Sequence, residues 1–599
     1  MRSFFKSLKS IQRSDSLRDY TIRDFSGGWN VIDSDFNLSS KFSKILYNVQ
    51  RGADGSLSIR PGTKWFADCS EFLDRIINMH YFNGAIYAVG ENGKVVVIRA
   101  DGSVFEVWSD DWASKLSGAP TGWDTTLFAS FAIFNGELII CNGVNKPLLV
   151  DANGYCKYLN DPATGSNANT PICRYVVTHG RYLVMGGDPD FVSTIHISSV
   201  DTSGVWVNDA APNDAVDIDL GSRIPSGSDV IKGLGRFRDK LVVAFEEALI
   251  PGTLGVYDTG GDHQPEFDDA IENHGSVSHR VLQTLGDDML FADGIGVPSI
   301  RRALFTGNIQ PERLSELIGP EIRESFDKIK STATLEDRTF SVYDANAHNY
   351  MLFIPNGNTR SSTTETRCFV YKKIPELKVE AWQEYRGWNF QCGCRSALKR
   401  MFYARDDQVF IQGDDQNEIP VDFQGEQEMF SDNTAFLDGT GFSPVSDEDN
   451  GVPIKFIWEL PWADSDKRVR TKHSRYLHID AEGSARFTAM MFTDKIYNDK
   501  SDTGEQWLDD TLFDDGLGWE RELLIPNLSM EFVAEEQGGY GNDGYGNQFG
   551  GGRPTATELL YAWKARFKIS KLRFEGYVYR PLKFVSISMM YGTGSIRSN

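Results

Sequence analysis

Apolar and polar positions alternate in short runs through the middle of the chain, and one local pattern returns seven times between residues 80 and 405. An apolar or aromatic residue leads into a tight polar turn, and β-forming residues follow, as in Phe82-Asn83-Gly84-Ala85-Ile86-Tyr87. An Asn-Gly pair between such runs is a strong signal for a β-hairpin. The seven turns are centred on Gly84, Gly136, Gly180, Asp239, Asp288, Asn349 and Arg400.

The spacing of these hairpins is typical of a repeat architecture. Successive turns are 44 to 61 residues apart, and a repeat of roughly 40 to 50 residues is long enough for a four-stranded propeller blade. One hairpin cannot bury its own face, whereas blades arranged around an axis cover one another. The pattern therefore predicts a β-propeller of six or seven blades over residues 81–415, with unrelated hairpins in β-sandwich domains as the alternative.

The segments on either side of this region predict further β-structure. We expect residues 1–80 to form an N-terminal arm and platform segment, and residues 416–599 to form a sandwich-like C-terminal β-domain. The clearest helical pattern lies near residues 312–330, where Leu314, Leu317, Ile318, Ile322 and Phe326 follow the 3.6-residue spacing. The predicted fold class is mainly β with few helices.

The net charge limits the classes of molecule that the protein could bind tightly. The 599 residues carry 61 Lys and Arg against 84 Asp and Glu, a formal net charge of −23. A high-affinity nucleic-acid binder needs a cationic footprint to displace counterions from phosphates, so this class is disfavoured. A conduit through which a polyanion slides without sticking would instead have an acidic or neutral wall.

The common catalytic and metal-binding motifs are missing from the sequence. It contains no GxSxG elbow, no phosphate-binding glycine loop and no HExxH pair, and its seven cysteines form neither paired CxxC sites nor a disulfide framework. We therefore predict no enzyme activity, no cofactor and no metal site. Two possibilities stay open: Ca²⁺ at acidic loops such as 447–449, and a carboxylate pair of a glycosidase, whose spacing is invisible in sequence.

Residues 537–553 form a Gly/Tyr-rich segment that is too poor in apolar side chains to pack a core. Its large side chains, Tyr540, Tyr545 and Phe549, are our candidates for a channel or gate loop. An inert surface insertion is the alternative interpretation.

Several stretches resemble the tail nozzle proteins of short-tailed bacteriophages, also called tail tubular protein B. The order and spacing of the stretches carry the resemblance, since each is common alone. Asp54-Gly55 is expected to close a hairpin, Arg60-Pro61-Gly62 to form a turn with Gly62 at a position of positive φ, and Asp293-Gly294 to shape a blade loop. The stretches are residues 24–30, Asn48, 54–63, 274–278, 290–300, 313–315 and 318–322.

The resemblance implies a homohexameric tube at the distal end of a virion tail. Such a tube would be bound to the tail adaptor ring and to tail fibres or spikes, would be assembled in the host bacterial cytoplasm, and would meet the host outer surface at infection. It would retain the genome before adsorption and then conduct the DNA without binding it tightly.

Two other functions remain open at this point. A carbohydrate-binding or polysaccharide-degrading virion component would use aromatic side chains such as Trp382, Trp388 and Trp519 to stack on sugars. A monomeric scaffold propeller would present one face to a protein partner.

Overall fold

The protein is described by a computed structural model in which strands dominate. The description covers residues 18–35, 37–52, 54–108, 129–159, 169–207, 214–224, 229–237, 240–253, 266–268, 270–285, 288–300, 313–329, 338–356, 366–374, 379–413, 422–423, 451–463, 472–483, 485–493, 528–532, 557–562, 566–567, 570–578 and 582–593.

Four consecutive antiparallel sheets form blades 1 to 4 of a β-propeller. Blade 1 contains Ile76–Phe82, Ala85–Gly90, Val95–Ile98 and Val104–Trp108. Blade 2 contains Ser130–Phe134, Glu137–Cys141, Leu148–Val150 and Cys156–Tyr158. Blade 3 contains Tyr175–His179, Tyr182–Gly186, Thr194–Ile197 and Val216–Asp219. Blade 4 contains Ile231–Phe237, Lys240–Phe245, Ala248–Thr253 and Glu266–Phe267, with Ile271–Glu272 also paired to its third strand.

Three further blades complete the ring. Blade 5 is a hairpin of Gln283–Leu285 and Asp288–Leu290, extended by single bridges from Leu290 to Ser299 and from Pro298 to Arg313. Blade 6 contains Phe340–Asp344, Asn349–Pro355, Thr366–Ile374 and Val379–Tyr385. Blade 7 contains Cys392–Arg395, Met401–Arg405 and Gln408–Gln412, and its fourth strand is Thr63–Asp68 from the N-terminal part of the chain. The first strand of each blade contacts the first strands of the two neighbouring blades.

All seven predicted hairpins are confirmed, and each joins the first and second strands of one blade. In blade 1, Asn83 and Gly84 have φ values of 47° and 85°, which is the double positive φ of a type I′ turn. The pairs that close the seven hairpins are Phe82 with Ala85, Phe134 with Glu137, His179 with Tyr182, Phe237 with Lys240, Leu285 with Asp288, Asp344 with Asn349, and Arg395 with Met401.

The strand Thr63–Asp68 closes the ring of blades. It pairs antiparallel with Gln408–Gln412, so the outermost strand of the last blade comes from before the first blade in sequence. Ala67 of this strand is buried in a cluster that also contains Ile76 of blade 1 and Val409 of blade 7. The propeller thus begins at residue 63, earlier than the expected boundary between residues 80 and 81, which falls within the first strand of blade 1.

Strands from the two ends of the chain build two larger sheets. We call these two sheets, together with the helix Gly319–Ile329, the platform. In the first sheet, Val49–Arg51, Leu57–Ile59, Leu582–Thr593, Lys472–Gly483 and Thr557–Ala562 follow in this order, with Arg18–Ile22 and Arg566–Phe567 attached. The second sheet continues from the last strand of blade 6 through Ile45–Tyr47, Ile454–Glu459, Ser570–Val578, Ala485–Thr493 and Leu528–Phe532. Two small pairs are Gly28–Trp29 with Phe42–Ser43 and Asp422–Phe423 with Gly451–Val452.

The two platform sheets pack face to face. Phe584 of the first sheet contacts the rings of Phe456, Trp458, Phe487 and Phe574 of the second, at centroid distances of 5.3 to 6.1 Å. All five aromatic side chains belong to one buried cluster. The β-sandwich-like part of the protein therefore contains strands from both ends of the chain.

Helical structure is sparse among the described residues. Helix α1 spans Gly319–Ile329 and follows a short 3₁₀ turn, Glu316–Ile318; further 3₁₀ turns are Gly221–Arg223 and His279–Val281. Ile322, Phe326 and Ile329 of α1 face the core, as the spacing near residues 312–330 predicts. No helix in the described part of the chain is long and apolar enough to cross a membrane.

Candidate functional site

Arg60 is at the centre of a buried polar cluster where the platform meets blade 7. Only 1% of the Arg60 side chain is exposed, and its guanidinium donates to both carboxylate oxygens of Asp422, with Nη1 at 3.0 Å from Oδ1. Nε donates to Asn48 Oδ1 at 2.8 Å, and Nη2 donates to the Arg386 carbonyl at 3.1 Å. A bidentate contact of this kind fixes both the position and the orientation of the guanidinium.

Two other residues complete this environment, which we call the Arg60 cluster. The Arg60 guanidinium lies 4.6 Å from the ring centroid of Trp388, and Trp388 Nε1 donates to Asp422 Oδ1 at 3.1 Å. Asn48 has a φ of 58°, and its Nδ2 donates to the Lys455 carbonyl at 2.7 Å. The cluster thus joins the N-terminal strands, the connection between blades 6 and 7, and the C-terminal strands.

A second polar cluster, centred on Glu384, attaches helix α1 to blade 6. The carboxylate of Glu384 is fully buried and accepts from Arg367 Nε at 2.7 Å and from Arg386 Nε at 3.0 Å. Arg367 also donates to Glu321 of α1 at 2.8 Å and to Ser325 Oγ at 3.2 Å. Burial alone would lower the pKa of Arg367, but the two glutamates outweigh it and raise that pKa, so the guanidinium stays charged.

The third cluster surrounds Asp293 in blade 5. Its side chain is 2% exposed and has Arg313 Nη2 at 3.0 Å and His274 Nδ1 at 3.2 Å, while its Oδ1 accepts from the backbone N–H groups of Ile295 and Gly296. Burial alone would raise the pKa of Asp293, but the His274 hydrogen bond and the Arg313 charge lower it below its usual value. The loop is therefore held around an ionised carboxylate.

Two hydrogen bonds to backbone carbonyls connect the segment that leads into α1 to blade 6 and to the N-terminal part of the chain. The indole of Trp382 in blade 6 donates to the Leu314 carbonyl at 2.9 Å, and the backbone N–H of Val31 donates to the Leu317 carbonyl at 3.0 Å. The clusters centred on Arg60, Glu384 and Asp293, together with these contacts, form what we call the junction between the propeller and the platform.

Two of the expected turns have the predicted form. Gly55 and Gly294 have φ values of 86° and 78°. Asp54 also pairs with Lys583 at 2.7 Å, so its hairpin is tied to the C-terminal strand Leu582–Thr593. Partial burial alone would raise the pKa of Asp54, but hydrogen bonds from Lys583 and Ser56 lower it to about 2.

The prediction for Gly62 is wrong, because this residue does not have a positive φ. Residues 60–63 run from the strand Leu57–Ile59 into the closing strand without a turn. Their course is set mainly by contacts distant in sequence: Gly62 accepts from the Gly413 N–H, and the N–H of Thr63 donates to Asp422. Pro61 accepts from Nη1 of the adjacent Arg60. A rule that considers only the residues of the turn cannot predict these distant partners.

An open cavity of about 980 Å³ lies beside the Asp293 cluster and along α1. Ile32 and Ile295 are its apolar lining, at 51% and 37% exposure. The rest of the lining includes charged side chains of both signs, among them Arg313, Glu316 and Asp327.

The residues predicted to stack on sugars, to form a gate loop or to bind Ca²⁺ are either buried or lie outside the described residues. Trp382 and Trp388 are 3% and 1% exposed, so neither can stack on a sugar. Tyr540, Tyr545, Phe549, Trp519 and the acidic loop at 447–449 lie outside the described residues.

The partners Asp422, Glu384 and Arg367 were not predicted from the sequence. Arg60 and Asp422 are 362 positions apart, and neither belongs to a local motif with a charge signature. One signal was available: Arg367 and Glu384 stand in strands that also contain large apolar residues such as Phe369 and Trp382. A charged residue that is buried among such side chains usually has a partner.

Comparison with known proteins yields similarity of structure only. No protein-family model and no curated protein matches the chain. PorZ, a surface component of the type-IX secretion system of Porphyromonas gingivalis, is 13% identical with a TM-score of 0.34 over 58% of this chain and 37% of PorZ. A streptogramin B lyase structure is 10% identical with a TM-score of 0.36, covering 59% of this chain and 98% of the lyase. YCF48, solved bound to a D1 peptide, is 12% identical with a TM-score of 0.32 over 59% of this chain and 98% of YCF48. Similarities this remote carry no functional implication.

Proposed function

We propose that this chain is the subunit of a tubular nozzle at the end of a short phage tail. One observation supports the proposal above the others: the stretches that resemble the nozzle family are far apart in sequence but supply much of the junction. Asn48, Arg60, Asp293, Arg313 and Glu321 all belong to those stretches and all take part in its polar clusters. The resemblance thus concerns residues that work together in three dimensions.

The junction also has the mechanical character that such a subunit requires. A tube wall that retains a packaged genome must not let its two parts move independently. Buried bidentate ion pairs and long-range hydrogen bonds link the propeller and the platform. Removal of one partner of a buried ion pair destabilises a protein by about 3 to 5 kcal/mol. The net charge of −23 per subunit favours sliding of DNA over binding, because like charges repel.

The first experiment measures the mass and shape of the purified full-length protein, alone and mixed with a tail adaptor ring. Multi-angle light scattering should give a particle of six 67.1-kDa subunits, and negative-stain images should show six-fold rings with an axial hole. A monomer in both conditions would contradict the proposal, as would a monomer that degrades a host polysaccharide.

The second experiment concerns the predicted gate loop. Deletion of residues 538–552 should leave the hexamer intact, whereas phage particles assembled with the shortened protein should lose their genome before adsorption or eject it with altered kinetics. The matched control replaces the same residues with a Gly/Ser segment of equal length. If the deletion instead abolished the hexamer, the loop would belong to a subunit interface.

A further inference from the structure

Blade 3 contains a group of three side chains that can each offer one ligand atom to a metal ion. Cys173 precedes the first strand of the blade, Asp188 follows the second, and His196 lies in the third. The Cys173 sulfur, an Asp188 oxygen and a ring nitrogen of His196 all lie within 4.8 Å of one another. Zinc holds its ligands at 2.0 to 2.3 Å, hence roughly 3.5 Å from each other, so small side-chain rotations would close this triad around an ion.

The orientation of the histidine is the second, independent observation. His196 Nδ1 lies 2.7 Å from Asp217 Oδ1, and the two residues are paired directly across neighbouring strands. The other ring nitrogen, Nε2, is buried and makes no hydrogen bond, and it lies 3.3 Å from Asp188 Oδ2. The side chain of His196 is 9% exposed. A metal-ligating histidine usually has this arrangement, with one nitrogen donating to a carboxylate and the other aimed at the metal.

The surrounding contacts leave the ligand atoms in place and available. Asp188 Oδ1 accepts from the Asp190 N–H at 2.8 Å, which leaves Oδ2 directed at the histidine. Cys173 and Met185 belong to the buried cluster between blades 2 and 3, and Met185 is paired across the strands with His196. The side chain of Asp217 is 70% exposed, so the histidine lies at the edge of this cluster, whereas the three candidate ligands are themselves buried.

Two other interpretations of the group fit the geometry less well. A Cys-His-Asp nucleophilic triad would need a thiol that a substrate can reach, but Cys173 is 0% exposed. A protonated imidazole between two carboxylates would account for Asp188 and Asp217, but it would give the buried thiol no role.

We infer that Cys173, Asp188 and His196 bind a zinc-class transition-metal ion, with Asp217 as the residue that positions the imidazole. A sulfur ligand favours zinc over magnesium or calcium, which prefer oxygen. Binding would deprotonate the Cys173 thiol, with release of its proton to solvent and formation of the metal–sulfur bond. The ion would tie the entry to blade 3 to its second and third strands. This inference does not depend on the proposed function.

The test uses the full-length protein after treatment with a chelator and dialysis. Titration with Co²⁺ should give a thiolate-to-cobalt charge-transfer band that saturates at one equivalent and disappears when Zn²⁺ is added. Mass spectrometry of the protein purified without chelator, under native conditions, should find one zinc per chain. Absence of the band and of stoichiometric zinc in the wild-type protein would overturn the inference.

Variants separate the ligands from other cysteines. C173S and H196Q should lose the cobalt band, whereas C156S, which removes another buried thiol in blade 2, should keep it. D217N should weaken metal affinity by about 10- to 100-fold without removing the band at saturation. Equal metal binding by C173S and C156S would contradict the assignment, and circular dichroism of the metal-free variants checks that each is folded.

Discussion

Arg60 illustrates how much of the junction depends on single side chains. Its guanidinium contacts a carboxylate, an amide oxygen, two backbone carbonyls and the face of an indole. Lysine could supply the charge but has no planar fork to satisfy these acceptors at once. The neighbouring residues Asp422 and Trp388 are each held in turn by Arg60, so the loss of one member should affect all three.

We therefore predict that Arg60→Ala destabilises the protein by about 3 to 5 kcal/mol, because it leaves the Asp422 carboxylate without its cation in a buried site. Arg60→Lys should recover only part of this loss. The midpoint of unfolding, measured by scanning calorimetry or in denaturant, is the readout.

Arg181→Ala is the matched control for this prediction. Arg181 also pairs with an aspartate, Asp201, but its side chain is 52% exposed, and removal of exposed pairs changes stability by less than about 1 kcal/mol. Equal effects of the two alanine variants would show that burial of the Arg60 pair is unimportant.

Lys372 provides a pH-dependent prediction. Burial lowers its pKa to about 8, although the charge of Asp344 partly opposes this. The unfolded chain holds this proton up to about pH 10.4, so the unfolded state binds more protons between these values and the wild type gains stability as pH rises through that window. Relative to Lys372→Met, the gain should be roughly 3 kcal/mol.

Chemical unfolding of wild type and Lys372→Met at several pH values from 7 to 10.5 measures this gain, since the difference between the proteins cancels the titration of other groups. A difference that stays constant with pH would mean that Lys372 titrates normally.

Local turn chemistry was predictable at the residue scale, and long-range pairing was not. Asp54-Gly55 and Asp293-Gly294 form turns because their own backbone and neighbouring N–H groups suffice. Gly62 looked the same in sequence, but its conformation follows from Asp422 and Gly413, which come some 350 residues later. Cys173, Asp188 and His196, the proposed metal ligands of blade 3, were not predicted for a related reason, since the pairing of the strands beside them brings them together.

At the scale of elements, the hairpins were predictable and the strand that closes the ring was not. Each hairpin is built from about ten consecutive residues with a turn that specifies it. The sequence of Thr63–Asp68 predicts an ordinary strand. It does not indicate the partner strand, Gln408–Gln412, because the two strands come together only when the ring closes. The helix near residues 312–330 was visible because its apolar spacing faces the core, although the α-helical part begins only at Gly319.

Closure of the ring can be tested within that single strand. Ala67→Asp should destabilise the propeller by more than about 3 kcal/mol, because it places an unpaired charge between blades 7 and 1 where Ala67 is 0% exposed. Lys64→Asp introduces the same side chain at an exposed position of the same strand and should be nearly neutral. Thermal unfolding compares them, and similar losses for both would argue against a buried closing strand.

At the scale of the whole molecule, the platform combines the two ends of the chain. Arg18–Ile22 and Leu57–Ile59 pair with Leu582–Thr593, and Ile45–Tyr47 pairs with Ile454–Glu459. Composition and periodicity identified β-structure at both ends but contained no information on which strands are neighbours. The two ends therefore stabilise each other, and the propeller is an insertion between them.

This arrangement predicts the behaviour of a cut chain. After cleavage at a specific protease site introduced between residues 424 and 450, both fragments should remain in one peak on gel filtration, because the paired strands hold them together. Denaturant should separate the fragments. The same peak profile before and after cleavage is expected, and release of the C-terminal fragment in native buffer would contradict the interleaved platform.

The closing strand also determines when the molecule can finish folding during its synthesis. Residues 63–68 leave the ribosome long before residues 408–412, with which they pair. At roughly 5 to 20 residues per second, the early strand waits about 20 to 70 s for its partner. Through that interval the nascent chain exposes an unpaired edge on an incomplete ring, so the rate of translation and the availability of chaperones should govern the yield of the folded protein.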